Sequence, residues 1–167
     1  MAEEIEIRRA TEGDAVAIAA VLHESFVEYK HLYTQAGFAA TVLPPDLVRR
    51  RMVEGPVWIA QRPGAVVGTV AAVAKGSSLY IRGMAVSPSA RASGTGAALM
   101  REVEAWALGE KFSRLFLSTT PFLHSAIRLY ERLGFRRRDQ DLQDLFGTPL
   151  FTMEKTLPAP VCQVEPI

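Results

Sequence analysis

The chain has 167 residues, 49% hydrophobic and 22% charged, and its 19 Lys and Arg against 18 Asp and Glu leave a net charge of +1. That is the balance of an ordinary globular domain with its own core; it gives no global pull toward nucleic acid or a membrane surface. The single cysteine, Cys162, excludes an internal disulfide framework and a cysteine zinc cage, and it suits a reducing compartment.

The opening Met1-Ala2-Glu3-Glu4 is acidic and lacks the apolar core of a secretory signal. No apolar run is long enough to span a bilayer. A soluble, cytoplasmic chain is expected. Ile5 and Ile7 alternate with charged residues, as in a first strand. Thr11 with Asp14 places a short carboxylate in the capping-box position of a helix, and Ala15, Ile18, Ala19, Leu22 and Phe26 then recur at helical spacing. The stretch from Glu28 to Thr41 holds Tyr29, His31, Tyr33 and Phe38 without a clear period, so it reads as irregular. Pro45 can open a second helix through Val53. The run Arg49-Arg50-Arg51 on that helix reads as a solvated face.

Three strands follow in close order: Val57 to Ala60, Val66 to Val73 and Leu79 to Val86. Connections this short imply an antiparallel meander. Leu99, Val103, Trp106 and Ala107 mark one face of a helix ending at Gly109, and Arg114 to Thr119 alternates like a strand. Ala126, Leu129, Tyr130 and Leu133 mark a helix ended by Gly134, and Leu150 to Thr156 reads as the last strand. The order is β-α-α-β-β-β-α-β-α-β-β: an α/β fold with a mixed central sheet of about seven strands and helices on both faces. Residues 1–157 are expected to form one domain, and the proline-bearing 158–167 a loose C-terminal tail.

Ser87 to Met100 places small residues and one arginine just before a helix. The first helical turn leaves backbone N–H groups unpaired, and together with the positive end of the helix dipole they attract anions. Glycines remove the Cβ atoms that would hold a phosphate off the backbone, and Arg91 adds a charge able to reach phosphate oxygens. A tight strand-to-helix turn with no ligand explains the glycines equally well. A P-loop reading fails because Ala97-Ala98, not Lys and Ser or Thr, follows Gly96. A dinucleotide-binding reading is weak because Leu99 stands where a third glycine is needed, and the strand ends well before Gly94.

The stretch Met84-Ala85-Val86-Ser87-Pro88, followed by Arg91-x-x-Gly94-x-Gly96-Ala97, resembles the acetyl-CoA motif of the GNAT superfamily of N-acetyltransferases. Ala126-Ile127-Arg128-Leu129-Tyr130-Glu131-Arg132-Leu133-Gly134-Phe135 is similar to the second helix motif of that family. The two stand in the expected order with a strand between them.

The resemblance implies a splayed pair of parallel strands with pantetheine lying in the gap. Met84, Ala85 and Val86 would bond it through their backbones, and Ala92, Ser93, Gly94, Thr95, Gly96 and Ala97 would wrap the pyrophosphate, with Arg91 alongside. It also implies that Tyr130 protonates the departing CoA thiolate, although helical spacing alone makes Tyr130 a core aromatic. Two departures stand out. Ser118-Thr119-Thr120 replaces a glutamate used by some members, and Leu123 replaces a cofactor-contacting asparagine. Water is therefore the expected route for the amine proton, with His124, His31, Glu28 and Glu54 as other candidates.

By the same analogy, Glu28 to Thr41 and Asp139 to Pro149 shape the acceptor site, where aromatic rings and Asp139, Asp141 and Asp144 would suit a cationic amine. Solvated loop charges explain those aspartates equally. The three histidines have no paired spacing, so no metal is expected. The implied partners are acetyl-CoA and a small-molecule or peptide amine, with no nucleic acid and no membrane. A homodimer covering an exposed strand edge is one arrangement such folds allow. A CoA-binding sensor or partner module without catalysis is the alternative.

Overall fold

The computed structural model describes residues 4–159. Seven strands form one sheet in the order β1-β2-β3-β4-β5-β7-β6. They are β1 (Glu6–Arg9), β2 (Val57–Arg62), β3 (Ala65–Lys75), β4 (Ser78–Val86), β5 (Arg114–Thr119), β6 (Arg136–Leu145) and β7 (Thr148–Thr156). The helices are α1 (Ala15–Phe26), α2 (Gln35–Thr41), α3 (Pro45–Glu54), α4 (Thr95–Gly109) and α5 (His124–Arg132). β2, β3 and β4 form the expected antiparallel meander, and β4 to β5 is the parallel pair, joined by the α4 crossover.

Strand alternation divides the core between the two faces of the sheet. Val57 and Ile59 of β2 pack with Ala15, Ile18, Val21 and Leu22 of α1 and Val48 of α3. Trp58 and Ala60, between them, pack with Leu99, Met100, Val103 and Ala107 of α4 and Tyr130 of α5. The predicted capping box closes a 3-10 turn, Glu12–Asp14, that leads directly into α1: Thr11 N–H donates to Asp14 Oδ2 at 2.8 Å, while Arg8 holds the same carboxylate at 2.9 Å. That Arg8 bond is the main reason the Asp14 carboxyl lies below its ordinary pKa.

Two expectations are corrected. The stretch from Glu28 to Thr41 is not irregular: a 3-10 segment spans Val27–Leu32, and α2 follows it. Thr34 caps α2 by accepting the Gly37 N–H at 3.0 Å. The helix is short and built from small residues, so it shows no hydrophobic period. Asp139 to Pro149 is not a loop between strands. β6 runs to Leu145 and β7 starts at Thr148, with Phe146 and Gly147 at φ of 50° and 93° between them. Two consecutive positive φ values make a tight hairpin turn. Charge-rich β6 lacks the β-branched and aromatic residues that mark a strand, as suits a strand at the sheet edge. Leu157 is buried in the core, and its N–H donates to Ser113 O at 2.9 Å. Of the expected tail, 160–167 lies outside the described residues.

Candidate active site

β4 breaks register with β3 where Thr69 faces Ala85 but Ala71 faces Arg82. β4 thus carries one extra residue, a bulge, in the segment that holds Gly83 and Met84. Gly83 takes φ of +63°, a conformation that costs other residues energy. The bulge reverses the alternation of the strand. Leu79 and Ile81 face the α4 side of the sheet, whereas Ala85, of the same parity, faces the α1 side. Pairing between β4 and β5 stops at Ile81 opposite Leu117, although β4 continues to Val86 and β5 to Thr119. Beyond that rung the two parallel strands part, and the facing strand edges have no ladder partner in each other.

The gap leads to the front of α4. Ala98 N–H donates to Gly94 O at 3.0 Å, so the N–H groups of Gly94, Thr95, Gly96 and Ala97 precede the first α-helical bond. Ala92 and Gly94 both take positive φ, 62° and 80°, which curls the backbone into an N–H-lined concavity of the kind that holds anions. The two glycines of the motif act differently. A Cβ on Gly94 would meet no atom within 4 Å, so that face is open. A Cβ on Gly96 would lie 2.9 Å from Leu129 Cδ2 and 3.2 Å from Met84 Cε, so Gly96 lets α4 pack against α5 and β4. Ser93 and Thr95 are structural as side chains: their hydroxyls meet at 2.7 Å, and Ser93 donates to Ala90 O. Arg91 is not swung toward the turn. Its Nη2 donates to Ser25 O at 3.0 Å, and its Nη1 pairs with Glu28.

At the other end of the gap lies a cavity of about 240 Å³. β4 contributes Ile81 to Met84, β5 contributes Leu117 to Thr119, and α5 contributes Tyr130. The Tyr130 ring is buried against Phe135, centroids 5.9 Å apart. No hydrogen bond among the described residues engages its hydroxyl. Burial, with a smaller contribution from Tyr33, pushes the Tyr130 phenol well above its usual range. Met84 lines the cavity, while Ala85 is buried in the α1-side core. Val86 pairs with Gly68 of β3.

Both segments expected to shape the acceptor side reach the cavity, through Tyr33, Ala40 and Thr41 from the first and Leu145 from the second. They also lock together, since Thr34 N–H donates to Thr148 Oγ1 at 3.0 Å and Thr34 Oγ1 donates to Phe146 O at 2.8 Å. Tyr29 stacks near Phe122 instead, and Phe38 supports Tyr33 edge-on. Asp144 accepts the Gly147 N–H in the hairpin turn, and the side chains of Asp139 and Asp141 lie outside the described residues.

The side-chain base candidates do not converge on the cavity. His31 and His124 are exposed, Glu28 holds Arg91, and Glu54 holds Arg82. Leu123, at the asparagine position, lines the wall. Three participants escaped the sequence reading. Gly83 was signalled by an isolated glycine inside a strand pattern. Arg51 lies three residues after buried Val48, on the inward face of α3, while Arg49 and Arg50 are exposed. Arg82 joins Arg51 in the cavity wall. No group of three His, Cys, Asp or Glu among the described residues is placed to hold a metal, and no helix there is long and apolar enough to cross a membrane.

The chain is 34% identical over 146 residues to the uncharacterized N-acetyltransferase YjgM of Escherichia coli, covering 81% of this chain and 84% of that protein. It is 36% identical over 99 residues to N-acetylaspartate synthetase of Danio rerio, but that match covers 56% of this chain and only 35% of the relative. The fold superposes with a TM-score of 0.79 on the PaiA N-acetyltransferase of Thermoplasma acidophilum, solved in complex with coenzyme A; identity is 18%, and 92% of this chain and 99% of that one are covered. The Acetyltransferase (GNAT) family model matches residues 18–135, from α1 through the glycine turn to the end of the α5 motif, and the chain belongs to that family.

Proposed function

We propose that the protein moves an acetyl group from acetyl-CoA to an amine by direct attack in a ternary complex. The observation that carries this reading is one continuous path. Unpaired N–H groups front α4, the edges of β4 and β5 stand apart beyond Ile81 and Leu117, and Tyr130 stands in the cavity wall beyond. The residues fit a CoA ligand: the open face of Gly94 lets a diphosphate touch main chain, and the unpaired edge at Met84 to Val86 suits the amides of pantetheine.

Acetyl-CoA, once bound, supplies the acyl group as a thioester. The amine nitrogen attacks the carbonyl carbon; the N–C bond forms as the C–S bond breaks, and the electron pair leaves on sulfur. A backbone N–H of Met84 to Val86 steadies the carbonyl oxygen. Tyr130 gives the sulfur its proton, and water in the cavity takes the proton lost by the amine. Burial keeps the Tyr130 phenol protonated, as a donor must be, and the same dry surroundings disfavour a thiolate, which narrows the mismatch between donor and acceptor. Holding amine and thioester together supplies much of the rate. This reading takes residues 1–157 as one catalytic domain, 158–167 as a tail, a cytoplasmic setting, and β1 or β6 as the edge where a second copy would pair.

The deciding experiment combines calorimetric titration of CoA with thiol release from acetyl-CoA over a mixed panel of amines. Heat together with amine-dependent release supports the proposal. Heat without release selects a silent CoA-binding module. Absence of heat with folded protein removes both.

A further inference from the structure

We infer that Arg51 is the carboxylate-binding residue of the acceptor site, and that the acceptor is a small amine bearing a carboxylate, such as an amino acid, rather than a polyamine or other cationic amine. The inference rests on the acetyl-transfer reading above.

Arg51 and Arg82 are the charged side chains among the described lining residues of the cavity, and none of those residues is a carboxylate. Arg82 has a partner in Glu54, a salt bridge whose acid is exposed. Arg51 has none: no hydrogen bond or ion pair among the described residues reaches its guanidinium, although the side chain is half-buried. Burial, and next the repulsion of Arg82, pull its pKa down to about 10. Glu54 attracts Arg51 only from a distance while bonded to Arg82; a partly desolvated cation with no counter-ion in contact is unfavourable, and an incoming carboxylate removes that penalty by accepting the guanidinium fork.

Position ties this cation to the chemistry. A Cβ on Gly83 would lie 2.5 Å from Arg51 Nη1, so the guanidinium fills the space over the β4 bulge, next to Met84 on the proposed pantetheine edge. Arg82 adds a buried Nε with no partner among the described residues. A second positive charge on the acceptor would meet both arginines. The same two cations disfavour the ammonium form of a bound amine, which suits a site whose described wall residues include no carboxylate base. At about 240 Å³ the cavity matches the scale of an amino acid.

The test uses the full chain with acetyl-CoA and compares the proteinogenic amino acids, their carboxamides and spermidine by thiol release. At least one amino acid is expected to show a KM tenfold or more below that of its amide. R51Q should raise that KM about 10- to 100-fold, as fits loss of a charge-assisted pair, with a smaller change in kcat and unchanged CoA affinity; R51K should recover part of it. CoA binding verifies that each variant is folded. Amides or spermidine turned over as well as amino acids, or an R51Q enzyme with the parent KM, would overturn the carboxylate assignment while leaving acetyl transfer intact. If no amine releases thiol, transfer itself has failed, and calorimetry of amino acids against the CoA complex decides separately: heat that depends on Arg51 keeps the carboxylate site, and absence of heat removes it.

Discussion

The two ends of the β4–β5 gap are built by opposite means. The α4 end is contiguous, from Met84 to Ala97, and what it offers is main chain: free N–H groups, an open Gly94 and an unpaired strand edge. The cavity end is assembled from side chains far apart in sequence, including Phe26, Tyr33, Arg51, Arg82, Tyr130 and Leu150. A diphosphate is recognised by groups every residue carries, so the sequence there needs only to withhold bulk and set the dihedral angles. An acceptor is recognised by particular charges and shapes, which distant elements supply only after the chain has folded. A short motif can therefore announce the first end and says little about the second.

The sharpest way to test that division is at Tyr130, which packs into the core and lines the cavity. Tyr130→Phe keeps the ring and removes the proposed proton donor. Turnover should fall by about 100-fold or more, while the dissociation constant of CoA changes little. Because burial raises the phenol above its ordinary pKa of 10, the parent enzyme should show no alkaline loss of kcat attributable to this group below that value. Loss of CoA binding with turnover preserved would place Tyr130 at the wrong end of the gap.

Next in size are the two glycines, which test whether the α4 end works through open backbone. Asn tolerates positive φ better than other side chains, so Gly94→Asn keeps the turn and adds bulk only on the face where no atom lies within 4 Å. CoA affinity should drop about tenfold, roughly 1.4 kcal/mol, with little change in melting temperature. Gly96→Val acts the other way. Its side chain must displace Leu129 and Met84, and overpacking of this kind costs about 1–3 kcal/mol of stability. If Gly94→Asn binds CoA like the parent, the N–H concavity is not where the diphosphate sits.

The same division explains what could be read from the sequence. β5 was legible to the residue, Arg114 to Thr119, because one buried face makes its residues alternate. The start of α1 was legible because Thr11 and Asp14 satisfy each other locally. α2 was not, because its stability comes from Thr34 and Gly37 meeting the β6–β7 hairpin, a contact across more than a hundred residues. A strand before Leu150 was expected, but the length of β6 was hidden by its charges and by a Phe146-Gly147 turn that lacks the usual Asn-Gly or Asp-Gly signal. The motif located the α4 end but gave Gly94 and Gly96 one shared role, which the packing at Leu129 divides. Arg51 looked like one of three solvated arginines; only the rotation of α3 onto the sheet separates it from Arg49 and Arg50.

The smallest effect concerns Arg91, the one motif side chain whose charge points away from the turn. Its guanidinium is held by Ser25 O and Glu28, both near the C-terminal end of α1. If a diphosphate draws it across, binding must first break the Glu28 pair, and an exposed pair of this kind contributes little. Glu28→Gln should therefore tighten CoA binding by about two- to fivefold, within the range of such pairs, and the gain should fade as salt is raised. Arg91→Ala should weaken binding in the parent and cancel the gain in the Glu28→Gln background. An Arg91→Ala variant that binds CoA like the parent and keeps the Glu28→Gln gain would mean that Arg91 stays on α1 throughout, so that the α4 end holds its anion through main chain without help from a side-chain charge.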